Sequence, residues 1–239
     1  MYGISQFWQF LINRTSVVYL SPFTPFINIE MSFSTYNIFG ILKYWHYFCK
    51  TKNMNTMNNE NTPNAMRPTE GRPLNQSFYV GGQNIFAGEY PGDKYEANAK
   101  DKIRQMTEFG VRHFIDLTEE GELKPYAHLL PSDATYTRFP IPDVSVPRSI
   151  DDVKTLIGHI DELSARNDGY VYIHSWGGVG RTGTIVACSL AQHMEYPTLE
   201  KVLSQLRTRF TEMPKSSYRR TPETSEQDQF VQKYIQSIS

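Results

Sequence analysis

The sequence predicts an α/β domain: a central, mostly parallel sheet flanked by helices. Two observations predict it. From about residue 76 onward, short apolar runs alternate with amphipathic segments of helical period. One of those runs, residues 170–174, passes through a glycine-rich stretch directly into a helical segment, a strand–loop–helix unit.

Asp93, followed by Glu96 three residues later, has the spacing of a capping box opening a helix that closes at Gly110. VRHFIDL, residues 111–117, reads as a strand, and TYTRFPI, residues 135–141, as a second. His113 lies in the first of these with nothing around it that forms a site, so it reads as structural. Ser149 precedes an amphipathic helix whose Val153, Leu156, Ile157, Ile160 and Leu163 share one face. Asp151 and Asp152 fall in its first turn, where carboxylates favour the helix dipole, and not in an acid–base pair. YVYIH is a short buried strand, TGTIVACSLAQHM a helix, and Thr198 opens another helix running to about Phe210. The last helix covers roughly 224–238, with Phe230, Val231, Tyr234, Ile235 and Ile238 inward.

The chain has 239 residues and a formal net charge of -1, which gives no basic surplus of the kind nucleic-acid binders carry. Its two cysteines, Cys49 and Cys188, have neither zinc-site nor disulfide-framework spacing. Free thiols favour a reducing, cytoplasmic setting. Cys188 reads as a small core residue on its helix.

Residues 1–53 follow a different grammar. Fourteen aromatics fall in the first 50 residues against one acid, Glu30, without sustained periodicity. No run reaches the roughly 18 apolar residues that a membrane helix needs, and the basic start of a signal peptide is missing. We read this as an irregular aromatic-rich extension upstream of a working start at Met54, Met57 or Met66. A hydrophobic partner- or membrane-binding extension is the competing reading. Residues 54–75, rich in Asn and Thr, read as a disordered polar linker, and the domain proper as 76–239.

Residues 174–183 read His-Ser-Trp-Gly-Gly-Val-Gly-Arg-Thr-Gly. A phosphate needs a ring of backbone N–H donors, and Trp176, Gly177, Gly178, Val179 and Gly180 form a loop that three glycines allow to curl. The helix opening near Thr182 adds positive potential. Arg181 supplies a planar, two-pronged donor. GVGRTG also matches the dinucleotide fingerprint, but the required second strand ending in an acid about 20 residues on is replaced by a helix. No Gly-Lys-Ser/Thr is present for an ATP-binding loop.

This segment resembles the signature of the cysteine-dependent protein tyrosine and dual-specificity phosphatases, His-Cys-x5-Arg-Ser/Thr. Here it runs His174, Ser175, five residues, Arg181, Thr182. The likeness extends over about residues 78–238. AGEYPG at 87–92, DLTEE at 116–120 and WGGVGRTG are similar to a bacterial dual-specificity-like branch. The resemblance implies a phosphatase-type fold, no metal or cofactor, and a phosphorylated protein or small phosphomonoester as partner. It implies a cysteinyl-phosphate mechanism with Asp143, in FPIPDVSVP, as the acid. Thr182 then steadies the departing sulfur, and His174 orients the loop through hydrogen bonds. Gln227, within RRTPETSEQ, either positions water or caps the pocket, or else merely sits in the first turn of a helix capped by Thr224 or Ser225. A lipid phosphatase is disfavoured, since the loop carries no basic side chain for additional head-group phosphates.

Ser175 departs from the pattern at the nucleophile. A serine hydroxyl needs an adjacent base, whereas this loop is built to stabilise an anion already formed. The expectation is binding with little turnover. Two origins stay open: a substitution introduced to trap a ligand, or a natural pseudophosphatase that reads phosphorylated residues.

Overall fold

The computed structural model describes residues 71–81 and 84–239, together with the backbone of residues 11–13 and 16–18. The chain divides into two compact units, 1–62 and 63–239. In the first, β1 (Leu11–Asn13) and β2 (Ser16–Val18) pair antiparallel. The other expectations for residues 1–70 lie outside the described residues.

The second unit is built on a five-stranded sheet. Its strands are β3 (Ser77–Tyr79), β4 (Ile85–Glu89), β5 (Val111–Asp116), β6 (Thr135–Arg138) and β7 (Tyr170–Ser175). Their spatial order is β3-β4-β7-β5-β6. Only the β3–β4 pair is antiparallel; the other three pairs are parallel. β7, buried along its whole length, is therefore the central strand, and its register sets Glu89 opposite Ser175. In open sheets of this kind, ligands bind beyond the carboxyl ends of the strands, which is where residues 175–181 lie.

Alternation along β7 assigns two cores. Val171 and Ile173 face one side and pack with α2 (Ile150–Arg166), α3 (Gly180–Gln192), α4 (Leu199–Phe210) and α5 (Ser225–Ile238). Tyr170 and Tyr172 face the other and join Phe86, Phe114, Tyr126 and the Ile103 and Met106 stripe of α1 (Glu96–Phe109). Pro73 and Leu74, placed in the linker by composition, are buried, and Leu74 joins this second core.

The caps explain the helix limits. Ser149 Oγ accepts from Asp152 N–H at 3.2 Å, and Thr198 Oγ1 from Lys201 N–H at 3.3 Å. Gly110, at φ +110°, closes α1 in a conformation that costs a side-chain-bearing residue free energy. The capping box expected of Asp93 and Glu96 does not form: the N-cap of α1 is Tyr95, without a side-chain cap. Asp93 instead accepts from Tyr95 N–H at 3.0 Å, two residues on, the local bond that aspartate favours in turns. His113 is structural as expected, buried between Thr135 Oγ1 at 2.9 Å and Asp168 Oδ1 at 2.8 Å. Cys188 is fully buried on α3.

Candidate active site

The loop between β7 and α3 is shaped by bonds to its carbonyl groups. Trp176 O accepts from Tyr90 N–H at 3.1 Å, Gly177 O from Lys215 Nζ at 3.0 Å, and Val179 O from Thr221 Oγ1 at 2.8 Å. In a trans peptide the N–H points opposite to the C=O. Drawing these three carbonyls outward turns the N–H groups of Gly177, Gly178 and Gly180 the other way. Gly178 takes φ +70° and lies so close to β4 that a Cβ there would meet the Gly88 carbonyl carbon at 2.3 Å. The loop thus takes its curl from the strand beside it.

A cavity of about 310 Å³ opens inside this loop. Ser175, Trp176, Gly177, Val179, Gly180 and Arg181 line one side, and Asp143, Val144 and Gln227 the other. Gly178 braces the loop from outside, while Thr182 and His174 lie beneath it, fully buried. Ser175 Oγ and Thr182 Oγ1 are 2.9 Å apart and hydrogen-bonded.

Arg181 is almost completely buried, and a buried charge requires partners. Its Nη1 and Nη2 donate in parallel to the two oxygens of Glu122, each at 2.7 Å. Nη1 also donates to Ile141 O at 3.0 Å, and Nη2 lies 2.9 Å from Asp143 Oδ1. The fork-to-fork bond is the strong form of charge-assisted pairing, and it holds the Glu122 carboxyl below the usual carboxylate range.

Asp143 sits in the segment between β6 and α2. Ser145 N–H bonds back to Pro142 O at 3.1 Å, and Val144 adopts φ +55° at the turn. The carboxylate is half-exposed, with Arg181 as its ion-pair partner. Gln227 joins this segment to α5. Its Nε2 donates to Ser145 O at 3.0 Å, while its Oε1 accepts from Glu223 N–H and Thr224 N–H. Thr224 and Gln227 form a full capping box, so the residue both caps the helix and lines the cavity.

Beneath the loop the sheet carries a polar network. His174 Nε2 and the Tyr126 hydroxyl share a bond of 2.6 Å. The bond runs away from the loop, so the side chain does not hydrogen-bond the loop as expected; that work falls to Tyr90, Lys215 and Thr221. Burial pushes the His174 imidazole down to about 4, against the opposing pull of Asp116. Asp116, also fully buried, accepts from Thr118 N–H and Oγ1 and from the Tyr136 hydroxyl.

The fold is that of a phosphatase-type α/β domain, with a glycine-rich loop leaving its central strand. Residues 95–234 match the model of the family described as PTP-SAK, Swiss Army Knife protein, DSP-PTPase phosphatase domain, and the chain belongs to that family. It is 32% identical over 126 residues to a protein described as a tyrosine phosphatase, 067L of Invertebrate iridescent virus 3, covering 49% of this chain and 47% of the viral one. Protein 197R of Invertebrate iridescent virus 6, described in the same way, is 28% identical over 141 residues, covering 58% of this chain and 47% of its own. The chain thus spans about half the length of these relatives. Among solved structures, Tk-PTP in its active form superposes with a TM-score of 0.55 at 20% identity, covering 67% of this chain and 97% of that one. A kinase-associated phosphatase with its catalytic-site cysteine substituted by serine gives 0.54 at 19% identity, covering 64% and 86%. At such identities the likeness speaks to the fold.

Proposed function

We propose that this chain is a tyrosine/dual-specificity phosphatase domain that binds phosphomonoesters, on proteins or small molecules, and barely turns them over. One observation carries the reading. Ser175 Oγ is hydrogen-bonded to Thr182 Oγ1, and among the described residues no base is bonded to it. The Asp143 carboxylate is engaged with Arg181, and the His174 imidazole with Tyr126. An unactivated hydroxyl is a weak nucleophile, while the inward N–H groups and Arg181 serve phosphate whatever atom stands at position 175.

With cysteine at that position the chemistry closes. A thiolate attacks phosphorus, the S–P bond forms, and the P–O bond to the leaving group breaks. Asp143 gives its proton to the departing oxygen, then takes one from the water that cleaves the S–P bond. Arg181 turns from Asp143 to the phosphoryl oxygens, and the Thr182 hydroxyl donates to the sulfur as it leaves. Because Gln227 directs three bonds to backbone, we assign it to holding the Asp143 segment against α5. AGEYPG, DLTEE and WGGVGRTG support placing the chain in a bacterial dual-specificity-like branch. The unpaired, buried Cys188 supports a reducing, cytoplasmic home.

Ser175 itself favours a second reading, a natural phosphoresidue-binding module that never catalyses. The test compares the chain as it stands with Ser175→Cys on a small aryl phosphate in the presence of chelator. Hydrolysis rising by about three orders of magnitude or more in the cysteine form supports the first reading. Silence in both forms, with phosphate still bound, supports the second. Turnover by the unaltered chain that Ser175→Ala abolishes overturns both.

A further inference from the structure

Beside the phosphate loop lies a second cavity of about 500 Å³, and Trp176 and Gly177 line both. Four lysines line it: Lys94, Lys102, Lys124 and Lys215. They come from three separate stretches of chain, so their convergence is a product of the fold. Two of them are neutralised. Lys102 Nζ is 3.3 Å from Asp93 Oδ2, and Lys215 Nζ is 2.9 Å from Glu89 Oε2. The other two have no carboxylate within salt-bridge distance among the described residues. Lys94 Nζ stands over the Tyr95 ring at 4.9 Å, and Lys124 Nζ donates to the Lys94 carbonyl at 3.4 Å. Glu96 feels Lys124 but is bonded to Lys100 at 2.7 Å. Among the described residues Glu89 and Asp93 are the carboxylates lining the groove, so two positive charges there lack a salt-bridge partner beside an exposed indole.

We propose that this groove is a second anion subsite, which selects phosphoprotein segments carrying another negative group next to the phosphoresidue held in the loop. The proposal rests on the loop binding phosphate. Trp176 forms the wall between the sites, presenting a flat apolar face to the intervening chain, and Lys94 and Lys124 meet the second anion. A glutamate or aspartate side chain and a second phosphate share this chemistry. The groove is local and its basic charge confined to a few side chains, which suits an extended peptide better than the broad basic face a membrane surface requires.

The chain as it stands suits the test, since poor turnover permits equilibrium titration. Fluorescent peptides carrying one phosphoresidue are compared with neutral flanks, with glutamate flanks, and with a neighbouring second phosphoresidue. The expected result is about tenfold tighter binding of the doubly anionic peptides, lost at raised salt. The Lys94→Glu/Lys124→Glu double variant brings them level with the neutral peptide, whose own affinity stays unchanged. Arg181→Ala abolishes binding of all three. The tighter of the two anionic peptides identifies whether carboxylate or phosphate is the preferred second group. Equal affinities, or a preference that survives the double variant, overturns the subsite while leaving the loop reading intact. If no phosphopeptide binds, the loop reading fails and the subsite falls with it. Vesicles containing phosphoinositide that bind more tightly than any peptide, through the same lysines, overturn the peptide assignment.

Discussion

The loop after β7 and the segment bearing Asp143 face each other across one cavity, yet they are held in opposite ways. The loop is fixed by three carbonyl bonds from distant parts of the chain and by a glycine pressed onto β4, and its arginine is buried in a two-pronged carboxylate pair. The Asp143 segment ends in an exposed Val144 and a half-exposed carboxylate, joined to the loop by one ion pair and the Arg181 bond to the Ile141 carbonyl, and to α5 by one Gln227 bond. The difference teaches a division of labour. On the proposed reading, the group that must be in place before the ligand arrives is the rigid one, whereas the group that must yield to the ligand is weakly held.

The largest effect is expected from Glu122→Ala. It removes the two-pronged partner of the buried Arg181 charge, leaving only Asp143 and the Ile141 carbonyl, and should cost about 3 kcal/mol, read by urea unfolding, with loss of phosphate affinity. An effect below about 1 kcal/mol would show that the loop is not anchored through its arginine. Next, Gly178→Ala combines a left-handed backbone with a clash against Gly88 and should cost about 3 kcal/mol. Unchanged stability with intact binding would place the rigidity elsewhere.

The third prediction concerns acid. His174 titrates at about 4 when folded against about 6.5 in an unfolded chain. Between these values the unfolded state binds the extra proton, so stability falls as pH drops from about 6.5 towards 4, by about 3 kcal/mol in all. Denaturation profiles of the chain and of His174→Gln should diverge over that window; parallel profiles would refute a neutral, buried imidazole. The smallest effect tests the opposite wall. Asp143→Asn removes a half-exposed partner and should change stability by less than about 1 kcal/mol. It should nevertheless strengthen phosphate binding severalfold, because Arg181 no longer has to be released. Weaker binding would mean that Asp143 helps to organise the arginine.

Legibility followed range. The strand–loop–helix unit, the caps at Ser149 and Thr198 and the amphipathic faces were readable because their causes lie within a few residues of one another. β3 and β4 went unread: β3 is only three residues long, and β4 is buried at four of its five positions, so neither shows a clear period of two. Glu122 is 59 residues from Arg181 and was missed. Its signal was indirect: a buried arginine demands a carboxylate, and three glutamates, Glu119, Glu120 and Glu122, cluster after β5. Lys215 and Thr221 gave no local sign, since their role is to bond loop carbonyls some 40 residues earlier. Asp93 misled because Asx turns and capping boxes begin with the same residue.

The three carbonyl tethers make the site a sensor of the whole domain's integrity. Tyr90 precedes α1, Lys215 follows α4 and Thr221 precedes α5, so the loop keeps its curl only while the β4 end and the C-terminal helices are both docked. Occupancy and global unfolding are therefore thermodynamically linked: a ligand at a hundred times its Kd should add about 2.7 kcal/mol to the stability of helices far from it. Melting temperature against phosphate concentration should then report affinity whether or not the chain turns its ligand over.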